Sequence, residues 1–222
     1  MNALLHYQSA LLLRSQRWLA PVILYAAFLA VGVQSGQPVL DSLAYAAAAL
    51  LPVAAWLVRI CVTNEPPAAR SCAAAAVGPW RAHLACLLSA CFAAIVLGAV
   101  ATAVVAMISD AASTDHRTAV NRIAASGAGL LAMLVSAFLG TAIGAVTSWP
   151  LLRSPGRAIG VLLLAALLAL VTTGSPAKAA LTGLVTGSRD GVVPVPLLPV
   201  AGAAVLALAA VGAACGMASR RG

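Results

Sequence analysis

Six long apolar stretches follow one another along the chain, at about residues 18–33, 40–58, 83–109, 123–149, 158–173 and 197–217. None carries Asp, Glu, His, Lys or Arg in its middle. About 20 apolar residues at 1.5 Å each cover roughly 30 Å of hydrocarbon, so each stretch has the length of a membrane crossing. The pattern predicts an all-α polytopic membrane protein, one domain over residues 1–222 with six transmembrane helices. Pumps and secondary transporters usually place ionisable side chains near the midplane, and their absence here argues against a chain that powers itself.

Shorter patterns flank the spans. Leu4, Tyr7, Leu11 and Trp18, with Leu5 and Leu12 beside them, recur at spacings of three and four, while Asn2, His6, Ser9 and Gln16 fall on another side. Residues 1–17 therefore predict an amphipathic helix lying in the interface, with Pro21 opening the first crossing helix. Residues 61–81 form the longest predicted inner loop, where the pair Pro66 and Pro67 breaks the chain and an Ala-rich run over 68–77 predicts a short helix stopped by Gly78 and Pro79. Residues 174–196 are apolar over 177–185 except for Lys178 and Thr182. That run is too short to cross and predicts a re-entrant or interfacial hairpin on the outer side.

Composition agrees: 63% of residues are hydrophobic and 8% charged, with a mean hydropathy of +1.03. The net charge of +8 comes from thirteen basic residues scattered as loop punctuation, with no patch interleaved with aromatics, which excludes nucleic acid as the natural partner. Arg14, Arg17, Arg59, Arg70, Arg81, Arg153, Arg157, Arg220 and Arg221 fall at one set of ends, against Arg117, Arg122, Lys178 and Arg189 at the other. The positive-inside rule then puts both termini in the cytoplasm of a cell-membrane protein. Arg14 and Arg17 before an apolar run resemble a secretory signal, but no A-x-A-like cleavage site follows within 32–39, so an uncleaved first helix is expected.

Candidate chemistry is sparse. The only lysine, Lys178, is followed by Ala179, so there is no P-loop. G-x-S-x-G and H-E-x-x-H are absent, and Ser89, Thr102, Ser136 and Thr141 are scattered rather than clustered at one depth. No catalytic, cofactor or metal site is expected. His6 reads as a solvated side chain, and Cys61, Cys72, Cys86, Cys91 and Cys215 read as small hydrophobes, the three-residue spacing of His83 and Cys86 at the membrane edge notwithstanding. Asp110, Asp115, His116 and Arg117 share one short outer loop that reads as a solvated cap. Gly140-x-x-x-Gly144 and Gly212-x-x-x-Gly216 each put two glycines on one helix face, a helix-packing signature.

Taken together, an interfacial leader helix, six spans, a cytoplasmic helix between the second and third, and a partly apolar outer segment between the fifth and sixth resemble the type 2 permease subunits of ABC exporters. The opening run from Leu4, Leu5, His6 and Tyr7 to Arg14, Ser15, Gln16, Arg17 and Trp18 looks like the elbow helix of actinobacterial members. The resemblance implies a permease dimer, of two copies or of two homologous chains, resting on a separately encoded soluble ATPase that binds the ATP and Mg this chain lacks. It implies that the inner-loop helix couples to that ATPase, through the region of Glu65, Arg70, Ala73, Ala76 and Arg81. The outer segment with Lys178, Leu181 and Arg189 would then belong to the exit path of an apolar or amphipathic cargo such as a lipid, peptide or natural product. The alternative is a membrane-embedded substrate-binding subunit of a vitamin or small-molecule importer, which also has six spans and no P-loop but needs neither the leader nor the long inner loop.

Overall fold

The computed structural model describes residues 2–148 and 155–221, so Met1, Trp149, Arg153 and Gly222 lie outside the described residues. The chain folds into helices α1 (Asn2–Arg14), α2 (Leu19–Gly32), α3 (Val39–Asn64), α4 (Pro67–Val77), α5 (Pro79–Ile108), α6 (Arg122–Thr147), α7 (Pro155–Val171), α8 (Pro176–Asp190) and α9 (Leu197–Arg221). Among the described residues there are no strands, only two isolated bridges.

Backbone chemistry sets several of these boundaries. Proline opens α4, α5 and α8, where its missing N–H would have had no intrahelical acceptor anyway. Gly78 stops α4 at φ 89° while donating its N–H to the Ala74 carbonyl, and Gly191 ends α8 in the left-handed region at φ 67°. Asn121 caps α6, its Oδ1 accepting the N–H groups of Ile123 and Ala124 at 3.0 and 3.3 Å.

The hub is α3, which packs against α1, α2, α5, α6, α7 and α8. Its neighbour α6 runs parallel to it at very close approach. A Cβ at Gly129 would lie 2.8 Å from the Leu43 δ-carbons, one at Gly140 2.6 Å from Ala54 Cβ, and one at Gly144 2.5 Å from Val58 Cβ. Only glycine lets the two backbones come this near. Gly98 of α5 is similarly close, 3.0 Å from Leu50 and Met133, so α3, α5 and α6 form the interior. The scattered hydroxyls there bond within their own helices: Ser89 to the Ala85 carbonyl, Thr102 to that of Gly98, and Thr141 to that of Ala137, at 2.7–2.9 Å. Backbone oxygens four residues back satisfy groups that hydrocarbon cannot.

The outer helices are attached more lightly. Among the described residues α2 packs chiefly on α3, with the Tyr25 hydroxyl also 3.8 Å from Met133 Sδ of α6. It is held by the Tyr25 hydroxyl, which donates to the Ala46 carbonyl at 3.0 Å, and by the Tyr45 ring lying over Gly32. Large side chains line its outward face and that of α7, including Ile23, Phe28, Val31, Leu163, Leu164 and Leu168.

Four helices, α3, α5, α6 and α9, are long and apolar enough to cross a membrane. A fifth crossing follows if α7 and α8, bent by 47° at a short break, form one broken span. This differs from the six expected. The 14 residues of α2 cover about 21 Å at 1.5 Å per residue, short of a hydrocarbon core, because extended residues follow Gly32. Two boundaries also move. Residues 61–64 complete α3 and α5 begins at Pro79, so the inner loop shrinks to Glu65, Pro66, α4 and Gly78, with Cys61 buried inside a helix.

Candidate functional site

The two ends of the bundle carry different constructions. At the end where α3 stops and α5 begins, two elements, α4 and α1, are tied by side chains to the last turn of α3. Arg70, in the first turns of α4, donates from one guanidinium nitrogen to the carbonyls of Val62 and Glu65 at 2.8 and 3.2 Å. These carbonyls belong to the last turn of α3, where no intrahelical donor remains and a cation is favoured. Asn64 donates to the Leu11 carbonyl at 3.1 Å, and the Gln8 amide donates to Glu65 Oε2 at 3.3 Å, so α1 is stapled to the same turn. The Glu65 carboxylate is 7% exposed and its Oε1 has no hydrogen-bond partner. Partial burial first, and the neighbouring carboxylate second, hold the Tyr7 phenol above its ordinary value.

Of the residues expected to couple to a partner, Glu65 and Arg70 are brought together in this turn. Ala73 is half-buried on α4, and Ala76 is exposed together with Ala68, Cys72 and Ala75, giving α4 a flat outward face of small side chains. Arg81 stands apart, its guanidinium 5.3 Å from the centre of the exposed Trp80 ring. Sequence reasoning missed Gln8, which sits at the most buried polar position of α1. Its spacing of four from Leu4 and Leu12 was the available signal.

The opposite end is a backbone knot. Val39 N–H donates to the Asp110 carbonyl and Asp110 N–H to that of Gln37, both at 2.9 Å, which joins α3 to the loop after α5. That loop turns back at His116, φ 53°, through bonds between Ser113 and Thr118. Thr114 then links three elements: its N–H donates to the Ser188 carbonyl at 2.9 Å, and its hydroxyl donates to Asp41 Oδ2 at 3.1 Å and lies 3.1 Å from the Ser188 hydroxyl. The loop holding Asp110, Asp115, His116 and Arg117 is thus bound to α8.

Beside this knot α8 lines a groove of about 590 Å³. Lys178, Thr182, Thr186 and Asp190 recur every fourth residue along it, facing Thr173 and Gly174 on one side and Val192 and Pro194 on the other. Lys178 Nζ also donates to the Val171 carbonyl at 2.8 Å, capping α7. A second cavity of about 530 Å³ runs between α6, α7 and α9, lined by apolar side chains such as Leu139, Ile143, Ala169 and Leu206, and it shares Thr173 and Gly174 with the groove. Of the three residues expected here, only Lys178 lines the groove. Leu181 turns inward onto the core, and Arg189 points outward. Thr182, Thr186 and Asp190 were missed, although their four-residue spacing from Lys178 was readable.

The two glycine pairs part company. Gly140 and Gly144 pack on α3, whereas no atom of the described residues comes within 4 Å of a Cβ placed on Gly212 or Gly216. Among the described residues no three of His, Cys, Asp and Glu come together as metal ligands.

The class this defines is an all-helical protein with, among the described residues, four helices of membrane-spanning length and composition, or five spans if α7 and α8 together make one. No family model, no curated protein and no solved structure matches the chain.

Proposed function

We propose that the chain is the permease subunit of an ATP-driven exporter, crossing the cell membrane six times with α2, α3, α5, α6, α7 and α9, both termini cytoplasmic, and coupled to a separate soluble ATPase. The observation that carries the reading is α4: a short helix held rigidly between the ends of two long apolar helices by Arg70, with a flat small-residue face turned outward. A helix so fixed transmits a push from a soluble partner into α3 and α5 rather than bending away from it. Further support comes from the lightly attached α2 and α7, and from an apolar cavity that opens into a polar-striped groove, a route suited to an apolar or amphipathic cargo. In this reading α2 crosses by drawing the bilayer thin, at modest cost, and the open Gly212 and Gly216 face receives the second permease.

Co-purification with a soluble ATPase from the same cells tests the proposal, with ATP hydrolysis expected only in the complex. Replacing Ala73, Ala74, Ala75 and Ala76 by Gly removes about 0.5–1 kcal/mol of helix stability per site and should weaken the complex. Hydrolysis by the chain alone, or partner binding unchanged in the glycine variant, refutes coupling through α4. Because Leu181 packs on the core, Thr182→Trp, which obstructs the groove without burying a charge, is the better probe of the exit path. Export should fall while assembly with the ATPase persists.

A further inference from the structure

A third cavity, of about 330 Å³, lies on the flank of the bundle between α1, α2, α3 and α5. Leu12, Leu57, Ala93 and Leu97 form its floor, and the exposed side chains of Leu13, Phe92, Val96 and Val100 form its outward rim. Its two hydroxyls ask for no polar occupant: Ser89 donates to the Ala85 carbonyl, and Ser9 stands at the α1 edge. At the mouth the chain turns sharply. Ser15 Oγ donates to the Leu12 carbonyl at 2.8 Å and accepts the Arg17 N–H at 3.4 Å, while Gln16 takes the left-handed conformation at φ 54°. The Trp18 indole N–H donates to the Leu13 carbonyl at 3.2 Å, which fixes the ring as one wall of the cavity.

This turn sets Arg14 and Arg17 beside the cavity, each next in sequence to a lining residue, both exposed and with no hydrogen bond or ion pair to either guanidinium among the described residues. The one acid at this end of the bundle, Glu65, is buried and bonded to Gln8. The mouth is therefore positively charged and uncompensated, while the interior is apolar. We propose that this cavity binds one anionic phospholipid, an acyl chain between α1 and α5 and the phosphate against Arg14 and Arg17, with the Trp18 ring at headgroup depth. A bound lipid here fills the gap beneath α1 and braces the leader helix against α3 and α5. The site lies away from the cavity between α6, α7 and α9, so it does not depend on the export reading.

Native mass spectrometry of the purified full chain, with phosphatidylglycerol and phosphatidylcholine offered in equal amounts, is the test. One phosphatidylglycerol should be retained per chain, with about tenfold preference. Arg14→Gln with Arg17→Gln, both at exposed sites, should abolish the preference. Ala93→Trp and, at the rim, Val96→Trp should fill the cavity and reduce retention of either lipid, whereas Leu208→Trp on the outward face of α9 should leave it unchanged. Equal retention of the two lipids by the native chain overturns the proposal, as does a preference that survives the double glutamine variant. Equal loss in Leu208→Trp would mark general lipid contact and overturn it too.

Discussion

Gly140-x-x-x-Gly144 and Gly212-x-x-x-Gly216 share a spacing and an apolar setting, yet their surroundings are opposite. A methyl added at Gly140 would meet Ala54 Cβ and the Leu51 carbonyl oxygen, both at 2.6 Å, and one at Gly144 would meet Val58 Cβ at 2.5 Å and the Ala55 carbonyl at 2.9 Å. The obstacles are partly backbone of a buried neighbour, so they cannot swing aside. Among the described residues nothing comes near Gly212 or Gly216. The motif thus records that close approach is permitted; whether a helix occupies the permitted space depends on how the other helices are arranged.

The strongest way to break this contrast is Gly140→Val with Gly144→Val. Overpacking costs about 1–3 kcal/mol per site, so the pair removes a large part of a stability of only about 5–15 kcal/mol. Denaturant titration in detergent should show a strongly lowered midpoint for this variant, while Gly212→Val with Gly216→Val keeps a native midpoint. Similar midpoints for the two variants would erase the distinction. A smaller effect is expected from Gly98→Ala, whose new methyl would lie 3.0 Å from a Leu50 methyl carbon and from Met133 Cβ. Because side chains rather than backbone oppose it, about 1 kcal/mol of destabilisation is expected by the same titration.

Tyr25→Phe extends the contrast from glycines to whole helices. It deletes the hydroxyl that joins the lightly held α2 to the Ala46 carbonyl. A loss of about 0.5–1.5 kcal/mol should appear, with hydrogen exchange accelerated in α2 and unchanged in α3 and α6. Uniform acceleration would show that α2 is not a separable layer. The smallest effect is a gain: Gly212→Ala and Gly216→Ala meet no obstacle and should each add about 0.5–1 kcal/mol to helix stability. If that face also receives a second permease, the same variants should weaken self-association in detergent or nanodiscs while the monomer becomes more stable.

Local signals were legible where backbone chemistry is local. The pair Pro66 and Pro67 with Gly78 and Pro79 bracketed α4, and apolar spacing marked α1 and the cores of α3, α5, α6 and α9. Segment 174–196 read as a short hairpin; it folds as α8 followed by a return past Gly191, where Gly187 packs against Pro194. Elsewhere the structure differs. Residues 61–81 read as the inner loop, yet α3 runs on through Cys61 to Asn64. Gln8 drew no reading, yet it is buried, with Glu65, far along the chain, accepting from it. Leu181, assigned with Lys178 and Arg189 to the outer segment, packs against the core, and the polar stripe of Lys178, Thr182, Thr186 and Asp190 lines the groove.

By itself the sequence determined that this chain is helical, apolar beyond what a soluble domain tolerates, and punctuated by prolines and glycines that start and stop its helices. These follow from hydrophobicity, the fixed φ of proline and the missing Cβ of glycine, which act within a few residues. Only the tertiary structure decided that α3 would be the hub, that one glycine pair would be filled and the other left open, and that Arg70 and Gln8 would tie α4 and α1 to the same turn. Each depends on which surfaces meet across tens of residues, and in a chain built so largely of Ala, Leu, Val and Gly many pairings look alike until close packing selects one.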